Sequence, residues 1–423
     1  MKYVTIKTVL ILSMLSLFST GLLLSQTETG QITGTITDQS GGAVPNAAIK
    51  VTSATTGSVR NGVSAGDGAY NITNLLPGDY NLAVSAPGFT PVERKVTLTV
   101  GARLGQDFQL GVGPATTSVQ VTETLAAVNT ETQTQSEVFT QNQIRELPNL
   151  TRNPYQFAAL AGNVSDVGIG TRGAGVSING QRESSTNTLL DGGSNNDEFT
   201  SAVGQQIPLD AVQEFSVLTS DFTAEFGRAS GGIVNVVSKS GSNEFHGTAY
   251  EFNRVSALSS NTFQNNANGT PKSVFVRNNF GYSFGGPVKK NKLFFFSSTE
   301  WTRTRSGASN FAWVPTSQLL ALTPPNVQNF FSTLGQLRPN LGVIGSAGCG
   351  TALFTCPAGI PAGTPVFNHV VYTVPTDAGG GYPQNAWDTF QRIDYNLSDR
   401  TQIYGRYALY SEQDQAGVIA SSP

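Results

Sequence analysis

Histidine and cysteine are nearly missing: the 423 residues hold two of each. That leaves little room for a His/Cys metal site or a His-based catalytic centre: His246 has no nucleophile–acid context, and His369 is the only imidazole in the loop that holds both cysteines. No metal site, no cofactor and no catalytic residue is expected, and the chain is not read as an enzyme. Charge is scarce as well, at 13% of residues with a net −3. No basic stripe carries interleaved aromatics, which removes the electrostatic footprint of a nucleic-acid binder. Beyond residue 28 no apolar run is long enough to cross a bilayer as a helix. Any membrane insertion past that point must use β-strands.

What is abundant is glycine, 46 residues, with frequent Asn, Ser and Thr. That mix favours strands and turns over helical bundles. The N-terminus is different. Lys2 and Lys7 precede an apolar run over 9–24 interrupted only by Ser, Thr and Gly, and polar Gln26, Thr27 and Glu28 follow. This predicts an export signal over 1–26, cleaved near Ser25 or Gln26. A membrane anchor is the alternative, for which the run is short. Without a Cys near the cleavage region, a lipoprotein is not expected.

Residues 29–112 carry short alternating strands, at 31–37, 48–52, 70–73, 80–84, 96–100 and 108–110, with turns at Gly41-Gly42, Asp67-Gly68, Pro77-Gly78 and Pro87-Gly88. Strands at this spacing argue for a sandwich. The strings GTITDQSGGAVPNAAIKV and GDGAYNITNLLPGDYNLAVSAPGF resemble the carboxypeptidase regulatory-like domain, a transthyretin-like, carbohydrate-binding-like β-sandwich. The resemblance rests on Gly34, Asp38, Pro45, Gly68, Tyr70, Leu75, Pro77, Gly78, Tyr80, Gly88 and Phe89. Turn chemistry explains all of them, so they are read as structural, with Tyr70 and Tyr80 in the core. The accessory fold implies no peptidase activity.

Residues 113–140 read as a linker rich in Thr and Gln, and 141–243 as an α+β domain. The latter has short helical pieces at 142–147 and 154–160, strands at 176–182 and 188–192, and a helix-then-strand phrase at 207–215. Gly168, Gly170 and Gly173 fit G-x-G-x-x-G, with Asp191 downstream. The dinucleotide fingerprint needs a helix after the glycines, and β and turn residues follow here, so that reading is rejected. The phrase at 147–153 and the string SGGIVNVVSKSG at 230–241 resemble the plug of Oar-like TonB-dependent outer-membrane receptors. The resemblance implies a periplasmic TonB partner that adds a strand to an extended box. Val119 and Val121 in the linker are the TonB-contact residues considered, although a plain linker strand is the preferred reading of that segment.

From Phe245 the strands lengthen. Thr248, Tyr250 and Phe252 share a face, as do Phe280, Tyr282 and Phe284; Ile393, Tyr395 and Leu397 oppose Arg392, Asp394 and Asn396; Ile403, Tyr407 and Leu409 oppose Tyr404 and Arg406. Apolar-out, polar-in strands mark an outer-membrane barrel. Connections alternate between long, 254–276 and 302–386, and short, 288–291 and 398–399, in the phase that external loops and periplasmic turns require. FGGPVKKNKLFFF and FQRIDYNLSDRTQIYGRYAL also resemble the early barrel of these receptors.

The fold class is therefore mainly β: sandwich, plug, then the first about five strands of a transmembrane β-barrel over 244–423. Receptors of this class close with about 22 strands, so a fragment or truncation is expected, one unable to transport by itself. Cys349 and Cys356, with six residues between them in an external loop, are expected to form a small disulfide in an exported protein; two free thiols are the alternative. The expected function is active uptake across the cell outer membrane of a large or scarce substrate, such as an oligosaccharide, peptide or chelate. The expected partners are TonB and outer-membrane lipid. A secreted or surface carbohydrate-binding or adhesion protein is the alternative.

Overall fold

The computed structural model describes residues 29–113, 133–149, 151–166, 175–223, 226–267, 272–333, 342–350, 355, 356, 358–376, 381, 382, 384–399 and 401–414. The export signal at 1–26, Val119 and Val121, and the glycines at 168–173 lie outside them. The described residues within 1–248, 282–299 and 388–410 form one compact unit, and those within 249–281, 300–387 and 411–423 another.

The first unit begins with the sandwich. Its strands are β1 (Gly30–Asp38), β2 (Ala48–Ser53), β3 (Val59–Val63), β4 (Ala69–Leu75), β5 (Gly78–Ser85), β6 (Val92–Leu98), β7 (Arg103–Gly105) and β8 (Phe108–Leu110). One sheet runs β4-β1-β7 with β8 also on β1, and the other runs β3-β2-β5-β6. The alternation read from sequence is the burial pattern. Ile32, Ile36, Ile49, Val51, Leu82, Val84 and Phe108 meet in one core. Tyr70 and Tyr80 are buried, and their hydroxyls donate to the carbonyls of Gln106 and Leu76 at 2.6 and 2.7 Å. Burial pushes both phenols well above their usual range. Gly34 is needed because a Cβ there would run into the Gln106 carbonyl. Asp38 organises the first turn: its Oδ1 accepts from Ser40 N and Gly42 N, both at 2.8 Å. β3 and β7 were not foreseen. β3 reads Val-Arg-Asn-Gly-Val with no buried residue, so it is an edge strand without an alternating signal; β7 has only three residues.

The plug follows, with β9 (Gln135–Thr140), β10 (Val164–Asp166), β11 (Val176–Ile178), β12 (Thr186–Leu190), β13 (Gly193–Ser194), β14 (Val212–Ser220) and β15 (Gly232–Ser238). Its main sheet runs β13-β12-β15-β14-β9, with β12 and β15 parallel. All residues of β12 and β15 are buried, as expected of parallel strands covered on both faces. The expected helical pieces appear as an α-helix at Gln141–Glu146 and 3-10 helices at Pro154–Leu160 and Leu209–Ala211. Asn153 caps the second by accepting from Tyr155 N at 3.0 Å.

The remaining strands are β16 (His246–Val255), β17 (Val274–Lys289), β18 (Leu293–Pro315), β19 (Gly342–Gly348), β20 (Pro365–Val374), β21 (Gln384–Ser398) and β22 (Thr401–Asp414). In the sheet they form, β17 lies between β16 and β18, while β21 pairs with β18 and β22. The burial pattern is inverted relative to a soluble protein. On β17, Phe280, Tyr282 and Phe284 are exposed while Asn279 and Ser283 are buried; on β21, Ile393, Tyr395 and Leu397 are exposed while Arg392 is buried. β16 departs from this rule. Within the first unit its Thr248 hydroxyl bonds Ser283 at 2.8 Å. Within the second, Tyr250 donates to Glu300 at 2.8 Å, and Asn279 donates to the other Glu300 oxygen at 2.9 Å. The aromatic face of β16 thus lies on the polar, inward side, where the tyrosine hydroxyl finds a buried carboxylate.

The segment expected as a long loop over 302–386 is more ordered than that reading. β18 has 23 residues, about twice what a tilted strand needs to cross the hydrocarbon layer. Its last part, Ala308 to Pro315, pairs with β20, which pairs in turn with β19. Helices at Ser317–Ala321 and Pro325–Thr333 lie in the same segment.

One buried acid makes the first unit sensitive to pH. Glu214 on β14 accepts from Val100 N at 2.8 Å. Burial pushes its carboxyl up to about 7, the Val100 N–H opposes the shift, and the Asp79 carboxylate adds to it. The folded form therefore holds a proton that the unfolded chain releases above about 4.5. The stability this group contributes is complete below pH 4.5 and is lost as pH rises through 7. The loss is about 3 kcal/mol at most, at about 1.4 kcal/mol per unit. Unfolding midpoints measured from pH 4 to 8 should fall across this window, and the fall should be smaller by that amount in Glu214→Gln.

Candidate functional site

The densest set of buried charges in the described residues sits where the end of β12 meets β15, β21 and β22. β12 ends at Leu190, and Asp191 turns the chain with φ +48° before Gly192. The Asp191 N–H donates to Val236 O at 2.9 Å, which pins the turn beside β15. Its side chain is fully buried, as is that of Arg392, at 0% and 2% exposed. The Asp191 carboxylate accepts from Ser238 N at 2.7 Å and from Ser238 Oγ at 2.8 Å. Arg406 Nη1 reaches Oδ2 at 2.8 Å, and Arg392 Nη1 lies 3.4 Å from Oδ1. Arg392 also donates to Ser238 Oγ at 2.9 Å and pairs with Asp394 at 2.9 Å. Its guanidinium lies 4.4 Å over the Tyr404 ring, and Tyr404 OH donates to the Asp191 carbonyl at 3.1 Å.

Two carboxylates and two guanidiniums make the cluster neutral, and the Asp191 oxygens are saturated with donors. This is the form in which buried charge is tolerated. Beside it, Phe296 of β18 and Phe390 of β21 belong to the same apolar core as Phe139, Phe215 and Val236 of the plug. The plug is thus fixed to the strands around it by one dry contact and one ionic contact. The arrangement holds two surfaces together.

Sequence reasoning met Asp191 only as the acid of a rejected nucleotide fingerprint. Arg392, Asp394, Tyr404 and Arg406 were placed on the inward faces of their strands, where they are, but their convergence on Asp191 was not foreseen. The available signal was an inward-facing Arg-x-Asp on one strand and Tyr-x-Arg on the next. His246 is exposed, and its Nδ1 lies 3.2 Å from Ser242 Oγ and 3.0 Å from Glu244 O. Cys349 and Cys356 lie side by side, with Cα atoms 4.6 Å apart, a spacing that a disulfide spans.

Comparison with known proteins accounts for the order of these parts. Residues 31–111 match the carboxypeptidase regulatory-like domain, 128–233 the TonB-dependent receptor plug domain and 237–422 the outer membrane beta barrel domain. The chain thus carries the plug domain of the TonB-dependent receptors, followed by an outer membrane beta barrel domain. It is a protein of the cell outer membrane. Its sequence is 28% identical over 305 residues to the TonB-dependent transporter Oar of Myxococcus xanthus. That match covers 66% of this chain and 28% of Oar, so the chain spans under a third of this relative's length. Among solved structures it is similar to the siderophore receptor PirA of Acinetobacter baumannii, at 15% identity and TM-score 0.37 over 66% of this chain and 31% of that one. It is also similar to the outer membrane transporter YddB of Escherichia coli, at 13% identity and TM-score 0.38 over 62% and 31%.

The Asp191 cluster yields a direct test. Removing one partner of a buried ion pair typically costs about 3–5 kcal/mol, because the other charge is left uncompensated. Asp191→Asn should speed hydrogen exchange of the Ser238 amide on the order of 100-fold, about 3 kcal/mol at 1.4 per decade. Adding Arg406→Gln should recover part of the loss, which a double-mutant cycle on that amide would measure.

Proposed function

We propose that the receptor is a gated transporter of the outer membrane, in which the plug blocks a passage and a periplasmic TonB protein pulls it loose. The observation that carries this reading is the buried Asp191–Arg392–Arg406 cluster between the plug sheet and strands β21 and β22. Its physics suits a latch. At 4 Å a unit pair interacts by about 4 kcal/mol in a protein-like medium and about 1 kcal/mol in water. The latch is strong while dry and fails once a small displacement admits solvent, so closure and release are separate states. The cargo is a large or scarce solute, and the exposed faces of β17 and β21 contact lipid. The secreted carbohydrate-binding alternative is not favoured, since it gives no reason for exposed Phe280, Tyr282, Ile393 and Tyr395 beside buried Arg392.

TonB engagement belongs to the linker, with Val119 and Val121 as its contact residues. Because strand addition relies on main-chain donors, proline is the decisive substitution. A peptide covering 113–140 should be retained by immobilised periplasmic TonB domain, and Val119→Pro with Val121→Pro should reduce retention at least tenfold. Equal retention of both peptides would place the contact elsewhere; no retention of either would remove TonB coupling from the proposal.

Cys349 and Cys356 are proposed as a disulfide that closes the external segment around Ile360, Val366 and Phe367. In protein taken from the outer membrane and denatured without reductant, thiol alkylation should add no label. After reduction it should add two.

A further inference from the structure

The N-terminal sandwich touches both of the surfaces that the Asp191 cluster joins. On the plug side, Val100 N donates to the buried Glu214 carboxylate of β14 at 2.8 Å. At the end of the plug, Asn243 N donates to Thr55 O, in the turn after β2, at 3.0 Å. Asn243 is itself doubly bonded to Asn291 in the turn between β17 and β18: its Nδ2 donates to Asn291 Oδ1 at 2.7 Å and its Oδ1 accepts from Asn291 N at 2.8 Å. On the barrel side, Arg60 of β3 donates to the carbonyl of Asp399 in the turn between β21 and β22, and Asn61 reaches the Asp399 carboxylate at 3.5 Å. Gly57, at φ +66°, lets the sandwich turn come this close, because a Cβ there would run into the Asn291 side-chain oxygen.

We infer that the sandwich is a brace: through its β2–β3 turn, β3 and Val100 it ties the plug to the β17–β18 and β21–β22 turns, and the plug cannot shift against these strands until the sandwich leaves. The docking stands on the contacts alone; its role as a brace rests on the gated-transporter reading. Three features make it releasable. The contacts named above are polar, as in interfaces that separate. The carboxyl at the plug contact accepts from the sandwich's own Val100 N–H, so undocking removes that bond. The linker leaves the sandwich after β8 and enters the plug at β9, so a pull on it loads the brace and the plug edge together.

Gly57→Asn tests this from the sandwich side of the contact. Asn tolerates a positive φ, so the turn survives while its side chain meets Asn291. In the wild-type chain the amides of Val100 and Asn243 should exchange slowly. In Gly57→Asn both should exchange at least tenfold faster, with the core amides of Leu82 and Val234 unchanged as controls for folding. Free exchange of Val100 and Asn243 in the wild-type chain, or no change in the variant, would overturn the docking. For the brace itself, the linker is pulled in an optical trap with the barrel strands tethered. Gly57→Asn should lower the force at which β9 separates from β14. An unchanged force would overturn the brace while leaving the docking intact. Loss of the transporter reading would instead appear as failed TonB binding.

Discussion

A carboxylate removed completely from water sets the terms for the rest of this molecule. Asp191 is held by the amide and the hydroxyl of Ser238 at the end of β15 and by two guanidiniums, one on β21 and one on β22. None of these elements tolerates the charge alone. An isolated carboxylate or an isolated Arg392 at this depth would cost several kcal/mol. The plug turn, the end of its central strand and two barrel strands are therefore mutually specified. Replacing such a cluster with apolar groups is often neutral for stability. Its value here is that it fixes one relative position and gives that position a sharp limit, since hydration weakens every pair in it at once.

Around this contact the barrel strands follow the logic of a solvent that cannot hydrogen-bond. Aromatic and aliphatic side chains on β17 and β21 face outward, and Asn279, Ser283 and Arg392 face inward. A buried polar side requires something polar or well packed to meet it. The plug supplies both, Ser238 and Asp191 for the guanidinium, and an apolar core for Phe296 and Phe390. The exception on β16 obeys the same rule, because Tyr250 turns inward where Glu300 accepts its hydroxyl.

Strand alternation was legible in the sequence wherever one face is buried. Gln31 to Thr37, Phe280 to Phe284 and Arg392 to Leu397 each alternate as their burial does. Three things were hidden. β3 is an edge strand with no buried side chain, so pattern reading has nothing to detect. β18 continues far beyond a bilayer-spanning length because β20 offers it backbone partners, a long-range pairing that local pattern does not encode. The Asp191 cluster joins residues about 200 positions apart, at separations of 215 for Arg406 and 213 for Tyr404. Inward-facing arginines announce that a carboxylate is needed; they do not say which one.

The ionic and the sandwich attachments of the plug differ in chemistry. The Asp191 contact is ionic and deeply buried, with many donors converging on one acceptor. The sandwich contact is a chain of single hydrogen bonds, Val100 to Glu214, Asn243 to Thr55 and Arg60 to Asp399, spread over several turns. A converging cluster fails all at once, when water reaches its centre. A distributed row fails one bond at a time, under a load applied from one end. In the gated-transporter reading proposed above, a pull on the linker would enter where the sandwich stops and β9 starts. Sequential loss of the weak row followed by collective loss of the ionic cluster is thus the order these geometries favour.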